Sequence, residues 1–147
     1  MKKLWLLLIG LSFALFANAA ELPQDKVVGE WWTPQKDGRV NIYKEDGKYF
    51  GKLVWTTPES ADRLDEQNPD PKLRNKKVLG SVILKDFTFE DGAWTDGTIY
   101  DPKSGKTYQS NLKIEDGQLK VRGYVGFSWL GRTETFSRYD GQSTTKM

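Results

Sequence analysis

The chain contains no histidine and no cysteine. Without histidine there is no Ser-His-Asp or Cys-His relay, no His-ligated zinc and no His-ligated haem. Without cysteine there are no disulfides, no thiol chemistry and no lipid-bearing cysteine behind an N-terminal leader. An excess of charge is missing too. The formal net charge of +2 is that of Lys2 and Lys3, and beyond them basic and acidic residues are equal in number. Overall charge therefore gives no case for binding nucleic acid or anionic lipid. The chemistry that remains is that of carboxylates, as used by two-carboxylate glycosidases. These absences favour a binding protein over an enzyme, and no cofactor or metal is expected.

Long apolar runs are also lacking, apart from one at the N-terminus. Lys2 and Lys3 precede the apolar stretch Leu4 to Phe16, and Ala17-Asn18-Ala19 fits a small-x-small cleavage site. The run is shorter than the ~20 residues of a spanning helix. Residues 1–19 are read as a cleaved signal peptide and 20–147 as a single domain, periplasmic or secreted, with no membrane span after cleavage.

What the sequence does have is the tripeptide Glu-Asp-Gly three times, ending at Gly47, Gly92 and Gly117. Each copy lies between runs rich in β-branched and aromatic residues. Asp-Gly is the preferred pair for a two-residue type I′ hairpin, because both central residues need φ > 0. Eight strands are expected: Val28–Thr33, Arg39–Glu45, Lys48–Thr56, Gly80–Phe89, Ala93–Tyr100, Lys106–Glu115, Gln118–Val125 and Arg132–Tyr139. Alternation is clearest in the sixth, where Tyr108, Ser110, Leu112 and Ile114 oppose Thr107, Gln109, Asn111 and Lys113. The fold class is all-β, an eight-stranded antiparallel up-and-down β-barrel. Closure removes the edge strands. A lipid-facing wall is disfavoured by Lys52, Lys85, Lys113, Lys120 and Arg122, each costing ~2–4 kcal/mol at mid-depth.

In a meander, connections alternate between the two ends. The Asp-Gly turns pinch one end, and the longer loops gather at the other. The longest, from Thr57 to Val78, exceeds the ~12–15 residues of ordinary loops. Pro69 and Pro71 stiffen it, as either a lid or a rigid cover. At this open end Trp32, Trp55, Tyr100, Tyr108 and Trp129 can line a mouth, while Arg132 and Arg74 can anchor a carboxylate or phosphate. The alternatives are barrel-filling aromatics, and salt bridges to Asp101, Asp70 or Glu134. Asp62, Asp65, Glu66, Asn68 and Asp70 form an oxygen-rich stretch whose spacing does not match an EF-hand. Asp101 and Glu134 are the best pair for carboxylate catalysis. At the pinched end, Trp31 and Arg138 fall on the neighbouring first and last strands, where guanidinium can stack on indole.

Gly29-Glu30-Trp31 in the first strand with Arg138 in the last resembles the lipocalin and wider calycin signature. The string Gly29-Glu30-Trp31-Trp32-Thr33-Pro34, Asn68 to Arg74, Gly97-Thr98-Ile99-Tyr100-Asp101-Pro102, Val121 to Gly126 and Leu130-Gly131-Arg132-Thr133 resembles the exported bacterial family of domain of unknown function 2147. Phe136 stands where that family commonly has a Trp. The resemblance implies export and a calycin-like barrel, with structural roles for Gly29, Trp31 and Arg138; it implies no catalytic residues. The expected function is binding of a small, partly apolar, lipid- or fatty-acid-like ligand at the long-loop end. The alternatives are a carbohydrate-binding or glycan-acting protein, and a packed barrel that binds another envelope protein.

Overall fold

All three Asp-Gly pairs turn through positive φ: Asp46 and Gly47 at 50° and 77°, Asp91 and Gly92 at 50° and 79°, Asp116 and Gly117 at 51° and 73°. These are the tight hairpins the sequence calls for. In the computed structural model, which describes residues 20–141, they join β2 (Gly38–Glu45) to β3 (Lys48–Thr56), β4 (Val82–Glu90) to β5 (Ala93–Asp101), and β6 (Lys106–Glu115) to β7 (Gln118–Tyr124). β1 (Gly29–Trp32) and β8 (Arg132–Arg138) complete the set. The expected leader and residues 142–147 lie outside the described residues.

Each strand pairs antiparallel with the next, and β1 pairs with β8, so the eight strands close into an up-and-down barrel. The seam is the shortest pairing, with two residue pairs, Trp31–Arg138 and Trp32–Ser137. β6 and β7 share seven.

Every strand sends buried side chains inward. Trp31, Val40, Ile42, Tyr49, Leu53, Leu84, Phe87, Trp94, Leu112, Leu119, Val121 and Phe136 form one core cluster. Large residues are accommodated by glycines opposite them. A Cβ on Gly51 would lie 2.8 Å from Leu84 Cδ1 and 2.9 Å from Val40 Cγ1. A Cβ on Gly97 would intrude on Cγ, Cδ1 and Cε1 of the Phe87 ring. The body of the barrel is thus filled by side chains, one of the two outcomes open to an eight-stranded barrel.

β4 and β5 are less regular than their sequences suggest. Asp86 and Asp96 both take positive φ, 64° and 60°. Lys85 pairs with Thr98 and Thr88 with Thr95 in the same register, and Asp86 and Phe87 interrupt the ladder opposite Asp96 and Gly97. The register shifts instead against the outer neighbours, between Tyr49 and Gly51 on β3 and between Trp94 and Gly97 against β6. Asp tolerates the left-handed conformation better than most residues, so the distortion forms where Asp is available. It presses Phe87 inward against Gly97. A further register shift, between Arg39 and Val40, sets Arg39 opposite Trp55 and Val40 opposite Leu53. No helix among the described residues is long and apolar enough to cross a membrane.

Candidate functional site

The pinched end is a sealed floor. Arg138 lies with its guanidinium carbon 3.8 Å from the ring centre of Trp31, which is fully buried. The guanidinium also donates to the carbonyls of Val28, at 2.9 Å, and Lys26. Gly29, at φ 122°, gives it room: a Cβ there would sit 2.9 Å from Nη1. The segment before β1 closes the floor from below, a contribution absent from the sequence reading. Residues Pro23–Asp25 form a 3-10 turn. Trp94 Nε1 donates to Gln24 O at 3.0 Å, Trp31 Nε1 to Val27 O at 2.9 Å, and Tyr49 OH to Asp25 Oδ1 at 2.8 Å. Burial, reinforced by the Asp25 carboxylate, pushes the Tyr49 hydroxyl well above its usual range. Gly29, Trp31 and Arg138 therefore hold structure at the end away from the long loops.

The residues expected to share a mouth divide among four places. Trp55, through its pairing with Arg39, belongs to the outer wall. There Arg39 is enclosed by Trp32, Trp55 and Tyr139, with ring centres 5.3, 5.5 and 4.0 Å from its guanidinium carbon. Arg39 Nη1 also bonds Glu30 Oε2 at 2.9 Å. This cluster is already occupied by the chain's own cation.

Tyr108 and Arg132 stand at the open end, on strand positions in line with the inward-packed residues. Tyr108 pairs with Ile99, and Arg132 with Gly123. Arg132 is highly exposed and lies 3.5 Å from Glu134, whose partner across the strands is the buried Val121. Ser110 is fully buried, and its hydroxyl has no hydrogen-bond partner. Below these positions the core is packed. Asp101 does not join Glu134 there. It accepts from Lys103 N at 3.0 Å and Ser104 Oγ at 2.7 Å within the β5–β6 turn.

Tyr100 is elsewhere again. It alternates with the inward-packed Ile99 and meets the loop between β3 and β4, which folds down the outer wall. Its hydroxyl donates to Asp65 Oδ1 at 2.6 Å, and Asn68 Nδ2 donates to Asp65 Oδ2 at 2.8 Å. Asp65 is buried. Burial first, then the carboxylate, pushes the Tyr100 hydroxyl up to about 12. The loop is further tied by Asp65 N to Lys76 O and Val78 N to Arg63 O, each 2.9 Å. Arg74 Nε donates to Asn68 O at 2.8 Å, so this arginine is committed to the loop itself. Gly105 of the β5–β6 turn packs so closely on the backbone of Gln67 that no side chain could replace its hydrogen. The loop is a braced cover. Two more of its acidic residues are engaged: Asp62 with Lys77 at 2.6 Å, and Asp70 as the cap of the 3-10 turn Pro71–Leu73. Among the described residues no three acidic groups converge as a metal would need.

Between this cover and the wall of β4, β5 and β6 lies an open cleft of about 800 Å³. Leu73, Leu79, Val82 and Ile83 give it an apolar lining, Tyr100 and Asp65 close one side, and Lys76, Lys77 and Lys85 supply cations. Lys77 is paired with Asp62. Sequence reasoning found Tyr100 and missed the lysines. Nothing local in the sequence says which way a long loop folds.

Trp129, the last of the expected mouth residues, sits at the tip of the β7–β8 loop. It is 73% exposed and stacks on Phe127, ring centres 5.9 Å apart.

The matched family is described as an uncharacterized protein conserved in bacteria (DUF2147), and the match covers residues 29–138. The chain belongs to this family. No curated protein matches it. Among solved structures it is similar to one described as protein HP1028 from the human pathogen Helicobacter pylori, which belongs to the lipocalin family. The two share 25% identity over 78% of this chain and 83% of that one, with a TM-score of 0.70. The lipocalin-like barrel expected from Gly29, Trp31 and Arg138 is the fold observed.

Proposed function

We propose that this protein binds a small amphiphile, with an apolar body and an anionic head, in the cleft beneath the β3–β4 loop. The observation that carries the reading is the combination in that cleft of Leu73, Leu79, Val82 and Ile83 with the side chains of Lys76 and Lys85. Apolar surface buries the body, and ammonium groups fix the head by charge-assisted hydrogen bonds. The inward side chains that pack into one core cluster argue for this outer cleft over the lumen. In this reading the protein acts by binding rather than catalysis. Export to the periplasm or beyond is part of the proposal and rests on Lys2, Lys3 and the apolar run up to Ala19. Similarity to a protein described as a lipocalin is consistent with small-ligand binding.

The test is calorimetric titration of the chain from Ala20 onward, which retains the whole closed barrel, with medium-chain fatty acids and, separately, neutral oligosaccharides. Fatty acid binding should weaken by about tenfold or more when Lys76 and Lys85 are both changed to Glu, as expected for loss of a charged hydrogen bond worth ~1.5–3 kcal/mol. Binding of the oligosaccharide alone would replace this reading with the carbohydrate one. Fatty acid binding indifferent to the two lysines would remove the cleft from consideration.

A further inference from the structure

The β7–β8 loop exposes more apolar surface than any other connection described. Val125, Phe127, Trp129 and Leu130 are 73, 64, 73 and 64% exposed, within six consecutive residues. Scattered apolar residues on a surface are ordinary, but a contiguous set at one loop tip marks an interaction site. The loop is also built to present it. Ser128–Leu130 forms a 3-10 turn, closed by Leu130 N to Phe127 O at 3.1 Å and Gly131 N to Ser128 O at 3.3 Å. Arg122 Nε donates to Ser128 O at 2.6 Å, and Arg122 Nη1 to Thr133 Oγ1 at 2.7 Å. The polar backbone is thus held toward the barrel, and the stacked Phe127 and Trp129 rings are left outside.

Charge decides what covers them. From Gly117 to Thr133 there is no acidic residue, while Lys120, Arg122 and Arg132 are basic. Arg132 is almost fully exposed beside the tip; Glu134, 3.5 Å away, offsets part of its charge. Aromatic and aliphatic side chains flanked by cations are the composition of a segment that lies in the headgroup region of a bilayer. The neutral charge of the whole chain does not oppose this. Screening confines surface electrostatics to about 10 Å, so the local sign at the loop governs contact.

We infer that the β7–β8 loop docks the barrel on the surface of a bilayer containing anionic lipid, with Phe127, Trp129 and Leu130 entering the headgroup region and Arg132 meeting the phosphates. This goes beyond ligand binding in the cleft and does not depend on it.

The experiment is sedimentation with vesicles of phosphatidylcholine alone and of phosphatidylcholine with phosphatidylglycerol, using the chain from Ala20 onward and no added ligand. The protein should sediment with the anionic vesicles, and added salt should release part of it. Phe127→Ser combined with Trp129→Ser should lower partitioning by about tenfold or more, since two aromatic side chains no longer leave water. Arg132→Glu should weaken binding to the anionic vesicles and leave that to neutral vesicles unchanged. The melting temperature of each variant checks folding; all three positions are exposed, so it should not move. Failure to sediment with anionic vesicles, or equal sedimentation of the double variant, would overturn the inference. So would a self-associated species in sedimentation velocity that the double variant abolishes, which would assign the patch to a second copy of the chain.

Discussion

Gly97→Ala tests the account of the packed barrel more sharply than any change at the rim. Two effects oppose each other. Replacing Gly by Ala within a strand removes backbone entropy from the unfolded chain and should stabilise by ~0.5–1 kcal/mol if the site has room. Here it does not, because the new methyl meets three atoms of the Phe87 ring, which is fully buried. Carbon atoms sit best ~3.5–4.0 Å apart, and the overlap exceeds 1 Å. Phe87 has no room to swing away, since it is fully buried and its backbone is paired with Tyr49 of β3. Overpacking of this kind costs ~1–3 kcal/mol, which outweighs the entropic gain. The expected net loss is roughly 1–2 kcal/mol. Phe87→Leu alone should cost about as much. Together the two should cost close to Phe87→Leu alone, a coupling of at least ~1 kcal/mol. Urea denaturation followed by tryptophan fluorescence measures all four proteins. A stabilising Gly97→Ala, or strict additivity in the cycle, would show that the ring does not lie over this glycine.

Two further expectations concern the floor and the loop. Arg138→Ala should destabilise by ~2–3 kcal/mol, combining the cation–π contact with two charged hydrogen bonds that water partly replaces; Arg138→Lys should recover less than half in the same urea assay, because lysine lacks the planar fork. The Tyr100 hydroxyl has its folded value raised from 10.0 to about 12, so its contribution is complete below pH 10 and is lost as pH rises toward 12; the difference in stability between wild type and Tyr100→Phe should be constant to pH 10 and shrink above it, and a difference that grows there would contradict the bond to Asp65.

The hairpins were legible because their determinant is local. An Asp-Gly pair fixes both the turn and, with flanking alternation, the register. Trp31 and Arg138 were legible because parity of a meander brings the ends of the first and last strands together. The four-way division of the mouth residues was not. Trp55 turns outward through a one-residue bulge beside Arg39, and a strand pattern with period two cannot show a bulge before its partner strand is known. Tyr100 meets Asp65 only because the long loop folds down the wall. The floor turn Pro23–Asp25 was missed since its bonds run to Tyr49 and Trp94, far along the chain. The kink at Asp86 and Asp96 left one sign, an acidic residue within each strand, which also reads as a solvated outer face.

The two-pair seam between β1 and β8 has a consequence in time. Every other strand pairing joins neighbours in sequence, so seven hairpin-like units can assemble as chain becomes available. Closure is different, since Arg138 must find Val28, 110 residues away. Such contacts incur most of the loop-closure entropy and come late. Until they form, the curled sheet has two bare edges, one of them bearing Trp31 and Trp32. Each edge is then free to pair with the corresponding edge of another molecule. The yield of closed barrel is set by a race between joining its own ends and joining a neighbour's, and dilution favours the former.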